Sequence, residues 1–152
     1  KFATKSAIAG AILAVGLSAG FALAGPADDA IKGRQGCMKA HGATMGVAVP
    51  MMKGEKPYDA AALKAAYDAE GAACADWAKW WGADTQKGET VETYAKPEIW
   101  TDPKGFEAAG GKWYEAAQKL YAATDEASFK AAFPAVGEGC KGCHEKFRRP
   151  KS

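Results

Sequence analysis

Cys140-Lys141-Gly142-Cys143-His144, close to the C-terminus, constrains this chain more than any other stretch. C-x-x-C-H is the attachment pattern of c-type haem. Two thiols must reach the two vinyl groups of one porphyrin, and the next side chain must bring an imidazole nitrogen to the iron. On a helix, positions i, i+3 and i+4 share a face, so Cys140, Cys143 and His144 would all point at one ring. A helix is therefore required at this end of the chain, with the rest of the fold packed against it.

Two other readings of C-x-x-C compete. A redox dithiol calls for a βαβ context, which is absent here. A zinc site calls for further ligands, and only His41, Cys37 and Cys74 remain to supply them. The adjacent histidine and an export signal favour one covalent haem c over both.

That signal is residues 1–24. Lys1 and Lys5 form a short positive start, Ala7 to Ala24 carries no charge, and Ala22-Leu23-Ala24 supplies a small-x-small cleavage site. Cleavage would leave Gly25 first in the mature protein and place it in the periplasm. A retained anchor through 7–24 is the rival, since that span just reaches across a bilayer. Its many Ala and Gly residues make it weakly apolar, which favours cleavage. Removing Lys1 and Lys5 from the twenty basic residues leaves eighteen, against eighteen acidic. No basic run or nucleic-acid motif stands out, so nucleic-acid binding is set aside. Four cysteines in an exported chain suit two thioethers and one disulfide.

Residues 25–152 are enough for one domain with one core, and they read as four helical segments. The first, 27–49, carries Ile31, Met38, Met45 and Val49 near helical spacing and ends at Pro50. The second, 58–81, is rich in alanine. A long connection, 82–103, holds Gly88, Pro97 and Pro103. The third begins at Pro103 and reaches 123. The fourth, 127–149, follows a short turn in which Asp125 is a candidate N-cap. No stretch alternates like a strand. Two short turns and one long crossover predict an all-α, antiparallel four-helix bundle. Trp77, Trp80, Trp81, Trp100, Trp113, Tyr114, Tyr121, Phe129 and Phe133 supply core mass.

The fourth segment also carries Pro134, Gly137, Gly139 and Gly142, which weaken a helix by about 3 kcal/mol for Pro and about 1 kcal/mol for each Gly relative to Ala. Glycine lets a backbone lie close to a flat ring. If the third and fourth helices turn near 124–125, Cys140 lies level with Gly110-Gly111, again without bulk. If the first two helices turn near 54–56, Cys37 and Cys74 lie level, so they could form a disulfide in an oxidising compartment. The alternative is two buried free thiols.

His144 leaves the other face of the iron open. Candidates for it are His41 and the methionines Met38, Met45, Met51 and Met52. A methionine stripe is otherwise core filling.

The C-terminal C-x-x-C-H, the four-helix reading, Lys53-Gly54-Glu55-Lys56-Pro57-Tyr58-Asp59 in the first turn and Glu98-Ile99-Trp100 before the third helix resemble the class II c-type cytochromes, the cytochrome c′ family. The resemblance spans 25–150. It implies an exported monohaem cytochrome that is not an enzyme, held by Cys140 and Cys143 with His144 as proximal ligand. The family has two types. Some members keep the sixth position empty and bind nitric oxide or carbon monoxide; a low-spin group, similar to cytochrome c-556, uses a first-helix methionine. Met38-Lys39-Ala40-His41-Gly42 matches that group's Met-Lys-x-x-Gly run, so the resemblance nominates Met38 as sixth ligand and a His/Met-ligated electron carrier as the function. It also puts Arg34 near the haem propionates and Arg148 near the proximal histidine. Redox proteins are the expected partners, membrane contact is expected only if 1–24 is retained, and homodimers built from the first two helices occur in the family. A peroxidase-like enzyme lacks support, since His41 has no evident acid–base partner.

Overall fold

A computed structural model describes residues 25–150; the expected export signal, 1–24, lies outside the described residues. Helix α1 runs Pro26–Met52, α2 Ala60–Ala73, the short α3 Glu98–Thr101, α4 Pro103–Tyr121 and α5 Glu126–Phe147. The four long helices form an antiparallel four-helix bundle, α1 paired with α2 and α4 with α5. The crossover between α2 and α4 contains α3 and two single 3-10 turns, Trp77–Trp80 and Ala83–Thr85.

Side-chain caps set three of the four long-helix starts. Asp59 accepts from the Ala62 N–H and Asp102 from the Gly105 N–H. Asp125 accepts from the Ser128 N–H, and the Ser128 hydroxyl lies 3.3 Å from the Asp125 N–H, a reciprocal capping box. Pro26 and Pro103 stand in first turns, where a missing N–H costs nothing.

The ends of the first two helices shift most. The first helix continues through Pro50 to Met52, because Pro50 lies in the last turn and its carbonyl accepts from Glu55 and Lys56 as the chain reverses. The second stops at Ala73 rather than 81. Cys74 caps it, and the following segment turns as 3-10 so that its tryptophans fold back over α1. Gly33 makes this possible, since a Cβ there would fall inside the Trp80 indole.

The main core lies toward the two tight turns. Ala48, Met51, Leu63, Ala116, Leu120, Phe129 and Val136 form it, with Met45 and Met52 packed alongside. Burying Phe129 fully is worth about 1.5–3 kcal/mol. The Tyr58 hydroxyl donates to the Ala123 carbonyl at 2.7 Å, tying the first turn to the second. At the other end, the fully buried Asp28 accepts from the backbone N–H groups of Glu89, Thr90 and Val91 and from the Thr90 hydroxyl. The crossover is thereby fixed to the start of α1. The Thr90 hydroxyl, followed by those backbone donors, holds the Asp28 carboxyl below its ordinary pKa against the opposing effect of burial.

Candidate haem site

Cys140, Cys143 and His144 all lie within α5, one helical turn apart, and all three are half-buried. Cys37 on α1 and Cys74 at the end of α2 are joined by a disulfide with their Cα atoms 4.8 Å apart. Cys140 and Cys143 are therefore the two free thiols of the four. Burial raises both thiol pKa values. Burial lowers the His144 pKa, and the nearby Arg148 and His41 lower it further. A neutral imidazole is the form that ligates a metal.

One glycine of α5 has a role that the sequence did not suggest. A Cβ on Gly139 would stand 2.9 Å from the Trp113 Cα, so this glycine allows α4 and α5 to approach each other. Trp113 therefore sits level with Gly139, and the register differs by two residues from the predicted Cys140–Gly110 level. Gly110, Gly111, Gly137 and Gly142 have no atoms within 4 Å of an added Cβ. Cys143 and Gly142, with Ala108, Ala109, Lys112 and Ala135, line a groove of about 650 Å³ between α4 and α5.

Arg34 is 5% exposed. Its Nη2 donates to the Thr85 carbonyl at 2.7 Å, and its guanidinium lies 4.7 Å from the Trp81 ring centroid and 5.7 Å from that of Trp100. Desolvation depresses its pKa to about 10. Its Nη1 is buried without a partner. A buried cationic donor lacking an acceptor is suited to an anionic carboxylate such as a propionate. Two free thiols at i and i+3, an imidazole at i+4 and this unpaired guanidinium fit a covalently bound haem.

Arg148 is exposed, and its N–H donates to the His144 carbonyl at 3.1 Å. The backbone around it is held by the crossover: the Phe147 carbonyl accepts from the Lys96 N–H and the Tyr94 carbonyl from the Arg149 N–H. The methionines separate clearly. Met51 is buried and Met45 and Met52 pack against the core, whereas Met38 is 37% exposed on α1. His41 is half-buried; its ring lies edge-on to Trp113 with centroids 4.4 Å apart, and its Nδ1 is 3.0 Å from Glu70 Oε1.

Sequence reasoning missed Glu70, Asp28 and Thr85. The register that levels Cys37 with Cys74 also levels His41 with Glu70, so that signal was available for Glu70. Nothing local marked the other two.

The chain belongs to the cytochrome c′ family: the pattern of the Cytochrome C' family matches residues 29–148. It is 34% identical to cytochrome c' of Alcaligenes xylosoxydans xylosoxydans, over 82% of this chain and 96% of that one. It is also 32% identical to cytochrome c-556 of Agrobacterium tumefaciens (strain II Chrys), over 80% and 98%. Among solved structures, cytochrome c' from Rubrivivax gelatinosus superposes with a TM-score of 0.71 at 33% identity, covering 81% of this chain and 97% of that one. A nitric oxide complex of a cytochrome c prime variant from Alcaligenes xylosoxidans superposes with a TM-score of 0.71 at 33% identity, over 82% and 97%. The protein is thus a monohaem c-type cytochrome with one covalent haem c.

Proposed function

We propose that this cytochrome is a periplasmic gas-binding haem protein of the cytochrome c′ type, with His144 as the single protein axial ligand and Met38 as an apolar cover on the opposite face. Haem iron supplies a reversible one-electron couple and a coordination position for a neutral diatomic gas such as nitric oxide or carbon monoxide. Cys140 and Cys143 hold the porphyrin through thioethers. His144 presents a neutral imidazole, and Arg34 offers its unpaired Nη1 to a propionate. Arg148 flanks the proximal histidine with positive charge.

The likeness to cytochrome c' of Alcaligenes xylosoxydans xylosoxydans over nearly the whole of that chain carries this reading. The nitric oxide complexes among the similar structures support the same reading.

The second reading is a low-spin electron carrier with Met38 bound to iron and a redox protein as partner. The Met38-Lys39 run and the relatives named cytochrome c-556 and c-554 favour it. Absorption spectra of the holoprotein separate the two. The proposal expects broad high-spin bands in the ferric form and rapid carbon monoxide uptake by the ferrous form, both little changed by Met38→Ala. Narrow low-spin bands with a weak sulfur-to-iron band toward the red, converted to high spin by Met38→Ala, would establish the second reading instead.

A further inference from the structure

Cys37, His41, Glu70 and Cys74 form a four-residue cluster that haem attachment does not use. On α1, Cys37 and His41 are one turn apart; on α2 and its cap, Glu70 and Cys74 are likewise one turn apart. The antiparallel register sets these two pairs face to face. Nε2 of His41 lies 3.5 Å from Cys37 Sγ and 3.8 Å from Cys74 Sγ. The three potential ligand atoms all fall within 4.8 Å of one another. The opposite ring nitrogen, Nδ1, sits 3.0 Å from Glu70 Oε1.

We propose that, once the Cys37–Cys74 disulfide is reduced, the two sulfurs and His41 Nε2 bind a soft closed-shell metal ion, Zn²⁺ or Cu⁺. The distances fit this chemistry. Metal–sulfur bonds of about 2.3 Å and metal–nitrogen bonds of about 2.0–2.1 Å separate S from N by about 3.5 Å at a tetrahedral angle and by about 3.8 Å in a trigonal plane. The sulfurs already hold those separations from Nε2, and only their own separation has to widen. Thiolate and imidazole are the ligand types that such ions prefer.

Glu70 is the second, independent observation. It is 3% exposed, its Oε2 has no hydrogen-bond partner, and His41 Nδ1 has none of good geometry despite the short ion-pair distance. A buried carboxylate with no cation bonded to it is costly. Behind a metal-bound histidine, a carboxylate accepts the second ring N–H, fixes the tautomer and makes the ligand more basic. Three protein ligands leave a zinc ion one open position, or complete a trigonal copper(I) site.

Reduction requires a dithiol donor. One of its thiolates attacks the Cys74 sulfur, the more accessible of the two, and Cys37 leaves as a thiolate; the donor's second thiolate then displaces Cys74. The donor ends as a disulfide, having passed two electrons to this pair. The metal takes both sulfurs as thiolates, and their protons are released.

The test uses holoprotein treated anaerobically with a phosphine and then desalted, with two thiols confirmed by titration. Competition against a colorimetric chelator is expected to show one equivalent of Zn²⁺ or Cu⁺ bound to the reduced protein and none to the disulfide form. Glu70→Gln should keep two titratable thiols yet weaken binding roughly 10–100-fold. His41→Ala and Cys74→Ser should abolish stoichiometric binding, with helical circular dichroism checking that each variant is folded. Failure of the reduced protein to bind either ion would overturn the proposal, as would undiminished binding in both His41→Ala and Glu70→Gln.

Discussion

The two helical hairpins are built on different principles. The α1–α2 hairpin is held by polar and covalent contacts: the Cys37–Cys74 disulfide, His41 against Glu70, and the Thr44 hydroxyl donating to the Ala66 carbonyl at 3.3 Å. The α4–α5 hairpin is held by close approach, with Gly139 against Trp113 and Ala116, Ala117 and Leu120 buried along α4. The second hairpin carries Cys140, Cys143 and His144 of the candidate haem site. A helix that must accept a bulky ring on one face gains from a dry, close-packed seam on another, since such a seam fixes its axis without polar groups to desolvate. The first hairpin contributes Arg34 and Met38 to the candidate site and also contains a cluster available for other chemistry.

Three perturbations sharpen this contrast. The largest effect is expected from replacing Cys37 and Cys74 together by serine. Opening the loop between them should cost about 2–5 kcal/mol in denaturant unfolding while leaving haem content unchanged, because α5 is untouched. Loss of haem attachment in that variant would show that the hairpins are not separable.

Next comes a matched pair on the second hairpin. Gly139→Ala forces a methyl group against the Trp113 backbone, an overpacking cost of about 1–3 kcal/mol that outweighs a helix-propensity gain of about 1 kcal/mol. Gly110→Ala meets no atom and should raise stability by up to about 1 kcal/mol. Equal shifts in the two melting curves would remove the close-approach account of this seam.

The smallest effect is confined to acid. Because Asp28 has its carboxyl pKa lowered in the folded state, its stabilising contribution is fully present above the unfolded value of about 3.9 and disappears as pH falls through the lower folded value. Asp28→Asn should therefore flatten the acid limb of the stability–pH profile. An unchanged slope below about pH 4 would deny Asp28 its role in fixing the crossover.

Much of the bundle was legible in the sequence because helices announce themselves through caps, prolines and spacing. Pro103 and Asp125 marked the starts of α4 and α5, and the first-turn register levelled Cys37 with Cys74. The alanine-rich second segment misled at its far end. Propensity alone would carry a helix through Trp77 to Trp81, yet these indoles gain more by folding over Gly33 and stacking on Arg34 than by continuing α2. Among the glycines of α5, Gly139 also serves the contact with α4, which spacing alone did not show. The methionine stripe could not reveal which of its members join the main core, since periodicity gives a face and not its depth along the bundle.

The amino-acid sequence by itself determined that a helix near the C-terminus presents two thiols and an imidazole on one side, because that follows from 3.6 residues per turn acting over five residues. It also determined the antiparallel order, through short turns and one long crossover. The tertiary structure alone decided that Arg34 is left with an unpaired donor, that Met45, Met51 and Met52 rather than Met38 pack with the main core, and that Glu70 stands behind His41. Each of these depends on side chains from segments tens of residues apart meeting in a shared space, and no local pattern encodes the shape of that space.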